Sequence, residues 1–208
     1  MAREEKTSFG RRLMRLALRL SRALGEECLL IGAGALSVWG HVRATRDIDF
    51  VTRLPPAKIR KRLAAAGIAS LVRRGGPLEG DPPWVVCGTL EGFRFDVLPP
   101  VVPLDWERAV TVPLAEGKAI KAVDLDGLIR LKLRAGGPQD LLDVAVLLRQ
   151  HPDHVPAARA LAEAYGIWRQ VEAWINDPRL RAEEGRGRKT KASEALPPPL
   201  RKGPGRKK

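Results

Sequence analysis

Apolar residues recur at three- and four-residue steps from Phe9 through Leu13, Leu16, Leu20 and Leu24, with arginines between them. This is the period of an amphipathic helix with one buried and one basic face. Thr7 or Ser8 is its expected N-cap and Gly25 its stop. The rhythm then shortens. Residues 28–31 read as a buried strand, 35–39 as a short helix closed by Gly40, and 48–51 as a second strand. Pro55-Pro56 marks a turn before a helix at 57–66, and 68–72 reads as a short strand. After a Gly- and Pro-rich loop at 75–83, two strands at 84–90 and 93–98 flank Glu91-Gly92, a two-residue hairpin turn. A further edge strand is expected at 110–114. From residue 121 the period is helical again, with helices at 124–134, 140–150, 155–165 and 167–175. Periodicity ends near Pro178, and the Pro- and Gly-rich remainder reads as disordered. The pattern predicts an α+β core over residues 1–120, a mixed sheet flanked by helices. A helical C-terminal subdomain over 121–180 and a basic tail over 181–208 follow.

Charge changes the picture. The 208-residue chain carries a net charge of +13. The tail holds ten Lys/Arg against three Glu, so about half of the surplus sits on the body. A basic body suits a polyanionic partner, with nucleic acid the commonest. No apolar run reaches the length of a membrane span, and arginines interrupt the N-terminal apolar positions, so the N-terminus does not read as a secretory signal. Cys28 and Cys87 sit in apolar runs and read as reduced core thiols in a cytoplasmic protein. The five tryptophans read as core or helix-face residues, His41 as an exposed loop residue, and His151 and His154 as falling between helices without a metal role.

The densest chemistry lies between residues 31 and 51. A small-residue turn, Gly32-Ala33-Gly34, follows the first strand and can let backbone N–H groups approach a phosphate. Arg43, Thr45 and Arg46 precede Asp47 and Asp49, which share one strand face while Ile48 and Phe50 take the other. The chain repeats the acid-x-acid spacing at Glu79/Asp81, Asp105/Glu107 and Asp124/Asp126, so spacing alone assigns nothing. A third acid, Asp96, lies on the polar face of 93–98 with Arg94. If that strand neighbours 48–51, the three carboxylates converge. Such a set suits two Mg²⁺ ions about 3.5–4 Å apart that clamp the attacking and leaving oxygens of a phosphoryl-type transfer. Arg43, Arg46 and Lys132 are candidates to neutralise phosphate. Lys132 and Arg134 have an ordinary solvated helix face as their alternative, and Asp140 and Asp143 read as helix-capping or salt-bridging acids.

Gly32-Ala33, Gly40, Arg43 to Asp49, and Phe95-Asp96-Val97 together resemble the nucleotidyltransferase superfamily with a DNA-polymerase-beta-like fold. The branch resembled most is the bacterial one that includes AbiEii-like toxins of toxin–antitoxin pairs. The run from Asp124 to Gly136, followed by Asp140-Leu141-Leu142-Asp143, is similar to that branch too, so the resemblance covers roughly residues 27–150. It implies Asp47, Asp49 and Asp96 as catalytic and metal-holding residues. Gly32, Ala33, Arg43, Thr45, Arg46 and Lys132 are implied around the nucleotide. The implied reaction moves a nucleoside monophosphate from an NTP to an acceptor, with Mg²⁺. The family's turn usually carries Gly or Ser where Ala33 stands, and alanine offers no hydroxyl. The basic body favours RNA, tRNA among it, as acceptor, with an antitoxin protein as a further partner. The alternatives are a non-catalytic RNA-binding protein on the same scaffold and a small-molecule transferase of the antibiotic-modifying kind.

Overall fold

The computed structural model describes residues 2–76, 81–114 and 117–180, with side chains from Gly10 onward. The basic tail at 181–208 lies outside the described residues. Helix α1 (Ala2–Leu24) begins before Thr7 and Ser8, so neither caps it. The elements that follow are β1 (Cys28–Leu30), α2 (Gly32–Val38), β2 (Asp47–Thr52), α3 (Pro56–Ala65), β3 (Leu71–Arg74), β4 (Trp84–Leu90), β5 (Phe93–Leu98), β6 (Val110–Pro113) and β7 (Ala119–Ala122). Helices α4 (Leu125–Ala135), α5 (Pro138–Gln150), α6 (Val155–Ala164) and α7 (Trp168–Ile175) complete the described chain. The fold is α+β, with one mixed seven-stranded sheet in the order β3-β4-β5-β2-β1-β7-β6.

Beyond α1, the clearest differences from the sequence pattern lie at α2, β3 and β7. Helix α2 starts at Gly32, three residues early, so the expected small-residue turn is the first turn of the helix itself. Strand β3 sits later than expected. Ile68 is instead a buried loop residue, 2% exposed, beneath the sheet. Strand β7 was not legible at all: its four residues, Ala-Ile-Lys-Ala, are too few and too weakly apolar to register. Its partners make it a strand, β1 in parallel and β6 antiparallel.

The two faces of the sheet bury different cores. Cys28, Leu30, Ile48, Phe50, Phe95 and Val97 point to one side and pack with Leu13, Leu16, Leu20, Ile59 and Leu63 of α1 and α3. Leu29, Val51 and Val123 point to the other, against α2, α4 and α5, with Ala158 and Ala162 of α6 and Trp168 and Val171 of α7 in the same cluster. Asp124 caps α4, its Oδ1 accepting from the Gly127 N–H at 3.1 Å. Gly136 closes that helix in the left-handed region. The β4–β5 hairpin turns on Glu91 (φ +50°) and Gly92 (φ +83°), the paired positive φ values of a type I′ turn. Cys28 and Cys87 are buried free thiols.

Candidate active site

Strands β2 and β5 run parallel, in a register that sets Asp49 beside Asp96 and Asp47 beside Arg94. Alternation then decides the faces. Ile48, Phe50, Phe95 and Val97 are buried under α1 and α3, so Asp47, Asp49, Arg94 and Asp96 share the opposite face. Neither of two surface depressions, of about 540 and 460 Å³, is lined by any of the three acids.

Helix α2 abuts Asp49. The Ile31 N–H donates to the Asp49 carbonyl at 2.9 Å, and Gly32 takes φ +61° directly behind it. A Cβ at Gly32 would stand 2.1 Å from Asp49 Oδ2, so only glycine leaves the carboxylate room. Among the described residues no hydrogen bond or ion pair reaches the Asp49 carboxylate. Burial, then the charges of Asp96 and Asp47, push its pKa up to about 7, against the pull of Lys132 and Arg43. Asp47 accepts a hydrogen bond from Arg94 Nε at 2.8 Å. Asp96 Oδ1 lies 3.8 Å from Arg73 Nη2. Burial raises the Asp96 carboxyl, opposed by Arg73 and Arg94. The three acids thus meet on one face, yet two of them are turned toward arginines. Among the described residues no three His, Cys, Asp or Glu side chains are gathered tightly enough to hold a metal ion.

The remaining expected residues separate into two groups. Thr45 Oγ1 accepts from the Asp47 N–H at 3.1 Å and so shapes the turn into β2. The Arg46 carbonyl accepts from the Arg94 N–H at 3.0 Å, extending the β2–β5 ladder, while its side chain is exposed. Ala33 is buried in the apolar cluster with α4 and α5, so its methyl is a packing group. Lys132 and Arg43 belong to a buried polar knot around Asp143, whose side chain is fully buried. Lys132 is 7% exposed, which overturns the solvated-face alternative. Its Nζ lies 2.6 Å from Asp140 Oδ1 and 2.9 Å from Asp143 Oδ2. Arg43 Nε stands 3.4 Å from the same Asp143 oxygen. Gln139 Nε2 donates to Asp143 Oδ1 at 3.1 Å, and His41 Nε2 lies 3.1 Å from that oxygen. Burial works to raise the Asp143 carboxyl, but His41, Lys132 and Gln139 outweigh it and hold the pKa down at about 2. Beside an ionised carboxylate the His41 ring N–H is the donor.

His41 is therefore not the exposed loop residue the sequence suggests. Its partner is 102 positions away, beyond any local pattern. Asp143 did leave a signal, a single acid inside the buried run Leu141 to Leu148 of α5. His154 Nδ1 lies 2.6 Å from Asp126 Oδ1, and His151 Nε2 lies 3.2 Å from the Trp39 carbonyl. Arg134 lies over the Tyr165 ring, 6.0 Å from its centroid.

No protein-family profile matches this chain, and no curated protein matches it. Solved structures do. A candidate nucleotidyltransferase from Thermotoga maritima is similar at 14% identity and TM-score 0.47, over 60% of this chain and 83% of that one. The antibiotic-resistance factor ANT(2'')-Ia is similar at 14% identity and TM-score 0.49, over 88% and 98%. A candidate nucleotidyltransferase from H. pylori is similar at 17% identity and TM-score 0.41, over 76% and 83%. At such identities, and with TM-scores below 0.5, none of these proteins lends its activity to this chain.

Proposed function

We propose that this chain is a Mg²⁺-dependent nucleotidyltransferase that moves a nucleoside monophosphate from an NTP to RNA. One observation carries the proposal. Asp49 is a half-buried carboxylate with no partner among the described residues, crowded by two like charges and held against a glycine that leaves it clearance. A cation joining such a group favours its anionic form, and hard cations prefer oxygen donors of this kind. Asp47, Asp49 and Asp96 would hold the metal, two ions in all. Bound there, Mg²⁺ would neutralise the triphosphate and withdraw charge from the phosphorus under attack.

The chain's own residues supply the rest. Lys132 and Arg43 set positive charge behind Asp49 and favour its ionised form, and Asp143 fixes both. Arg94 and Arg73 are exposed and pair with Asp47 and Asp96; with a metal held by those acids, both guanidiniums would be free to meet phosphate oxygens. Asp96, its pKa raised, is the candidate base for the acceptor hydroxyl. The net charge of +13 supports RNA, tRNA within that class, as acceptor. A cytoplasmic setting, read from Cys28 and Cys87, belongs to the same proposal, as do a toxin role and an antitoxin partner, which rest on the resemblance of residues 27–150 alone. A non-catalytic RNA-binding role is the competing reading, favoured by the arginine pairing of Asp47 and Asp96.

The test is incubation with each α-labelled NTP, Mg²⁺ and total RNA, with total protein and an aminoglycoside as parallel acceptors. Label entering RNA with wild type, and lost with Asp49→Ala, supports the proposal. No transfer from any NTP, or an Asp49→Ala variant equal to wild type, overturns it. Label on the aminoglycoside alone moves the acceptor to small molecules.

A further inference from the structure

The face of α1 turned away from the sheet is built for a polyanion. Leu13, Leu16, Ala17, Leu20 and Leu24 are each at most 8% exposed, and Met14, Leu18 and Ala23 pack partly buried against the same core. The outer side presents Arg11, Arg12, Arg15, Arg19 and Arg22, and no acid lies between Gly10 and Leu24. Arg15, Arg19 and Arg22 follow one another at helical steps, so they form a row about 10 Å long. That row borders a depression of about 460 Å³, whose other walls are Lys118, Leu18, Ala23 and Ala66, with no carboxylate.

The nearby acid does not cancel this row. Glu91, at the β4–β5 turn, pairs with Arg15 at 2.7 Å and with Arg12 and Arg19 at 3.7 Å. One carboxylate thus gathers three guanidiniums and leaves positive charge in surplus. Arg22 has no ion-pair partner among the described residues. All four arginines are exposed, so their interactions with one another and with Glu91 are weak and exchangeable.

We propose that this α1 face docks the phosphate backbone of RNA. An anionic membrane is the other common partner of a basic amphipathic helix, but that mode requires an apolar side free to enter the lipid. Here the apolar side is committed to the core. The choice of RNA over DNA rests on the acceptor proposed above. The row lies on the opposite side of the sheet from Asp47, Asp49 and Asp96, so it holds the body of a long substrate and takes no part in the transfer chemistry.

The experiment is fluorescence anisotropy of a labelled 20-nucleotide single-stranded RNA with the full chain, without NTP or metal, across a salt series. The variant Arg15→Ala/Arg19→Ala/Arg22→Ala is compared with Arg130→Ala/Arg169→Ala/Arg179→Ala, which removes equal exposed charge elsewhere. The α1 variant is expected to lose at least tenfold in affinity and to flatten the log–log salt slope by about 2, at about 0.7 per lost phosphate contact. The control is expected to stay within twofold of wild type. Arg→Lys at the same three α1 positions is expected to restore binding, which separates lost charge from a misfolded chain. Equal losses in the two alanine variants, no RNA binding by wild type, tighter binding to duplex DNA of equal length, or retention on phosphatidylserine vesicles in place of RNA would each overturn the proposal. Because nucleotide is absent, these outcomes are independent of whether transfer occurs.

Discussion

Replacing Gly32 with alanine isolates the contact on which the candidate site is built. Two costs arise at that position. The backbone sits at φ +61°, where a Cβ costs about 1–2 kcal/mol. The new methyl would also stand 2.1 Å from Asp49 Oδ2, 3.0 Å from its Cγ and 3.2 Å from its Cβ. Asp49 must leave its rotamer to relieve this, at roughly another 0.5–1.5 kcal/mol. The expected loss is therefore about 1.5–3.5 kcal/mol, read as a fall in the urea midpoint at unchanged slope. Gly67→Ala is the internal standard. Gly67 has φ +68°, and an added methyl there would meet nothing within 4 Å, so it reports the backbone cost alone. In an Asp49→Ala background the carboxylate is gone and only the Cβ–Cβ approach remains. Gly32→Ala should then cost nearly what Gly67→Ala costs, a coupling the double-mutant cycle measures directly. If Gly32→Ala is no worse than Gly67→Ala in wild type, or if the cycle shows no coupling, the close approach of α2 to Asp49 is wrong.

Asp143→Ala removes the anion shared by Lys132, which keeps Asp140, and the partly exposed Arg43; the expected loss is about 2–3 kcal/mol by urea unfolding, and a loss below about 1 kcal/mol would show that the knot contributes little. The Asp49 carboxyl has a folded pKa near 7, above its ordinary value of 3.8. Its protonated form therefore favours the native state, and the contribution is lost as pH rises from about 4 through 7. In EDTA, Asp49→Asn should be more stable than wild type at pH 8, with the advantage shrinking toward pH 5; a wild type that gains on Asp49→Asn as pH rises from 5 to 8 contradicts the assignment. Burial pushes the Cys28 thiol up to about 11. A disulfide-exchange reagent at pH 8 should leave Cys28 unmodified in the native chain and label it fully in 6 M urea, whereas rapid native labelling would contradict its burial.

What could be read from the chain alone was whatever is written locally. The alternation in Asp47–Thr52 and Phe93–Leu98 fixed which side chains share a face, and Glu91-Gly92 announced its turn. The parallel pairing of those two strands stayed conditional, because no turn ties them and their register is settled by the whole sheet. Lys132 shows the same limit. Its helix and position were legible, but both expected surroundings, phosphate or water, assumed an open side chain. Asp140 and Asp143 occupy it instead, through the packing of α5 on α4. Arg94 was placed on the right face without a partner, since Asp47 becomes its neighbour only once β5 is beside β2. The early start of α2 has a simpler cause: a glycine able to take positive φ lets the helix begin where a turn was expected.

Setting β5 against β2 also has a kinetic side. The two strands are separated in the chain by α3, β3 and β4, so their pairing closes a long loop and is expected to come late in folding. That union forces Asp49 and Asp96 shoulder to shoulder, and the growing sheet must collapse against mutual repulsion. The juxtaposition on which the proposed chemistry depends is thus expected to slow assembly, and refolding should be faster in mild acid or with divalent ions, which quench the repulsion.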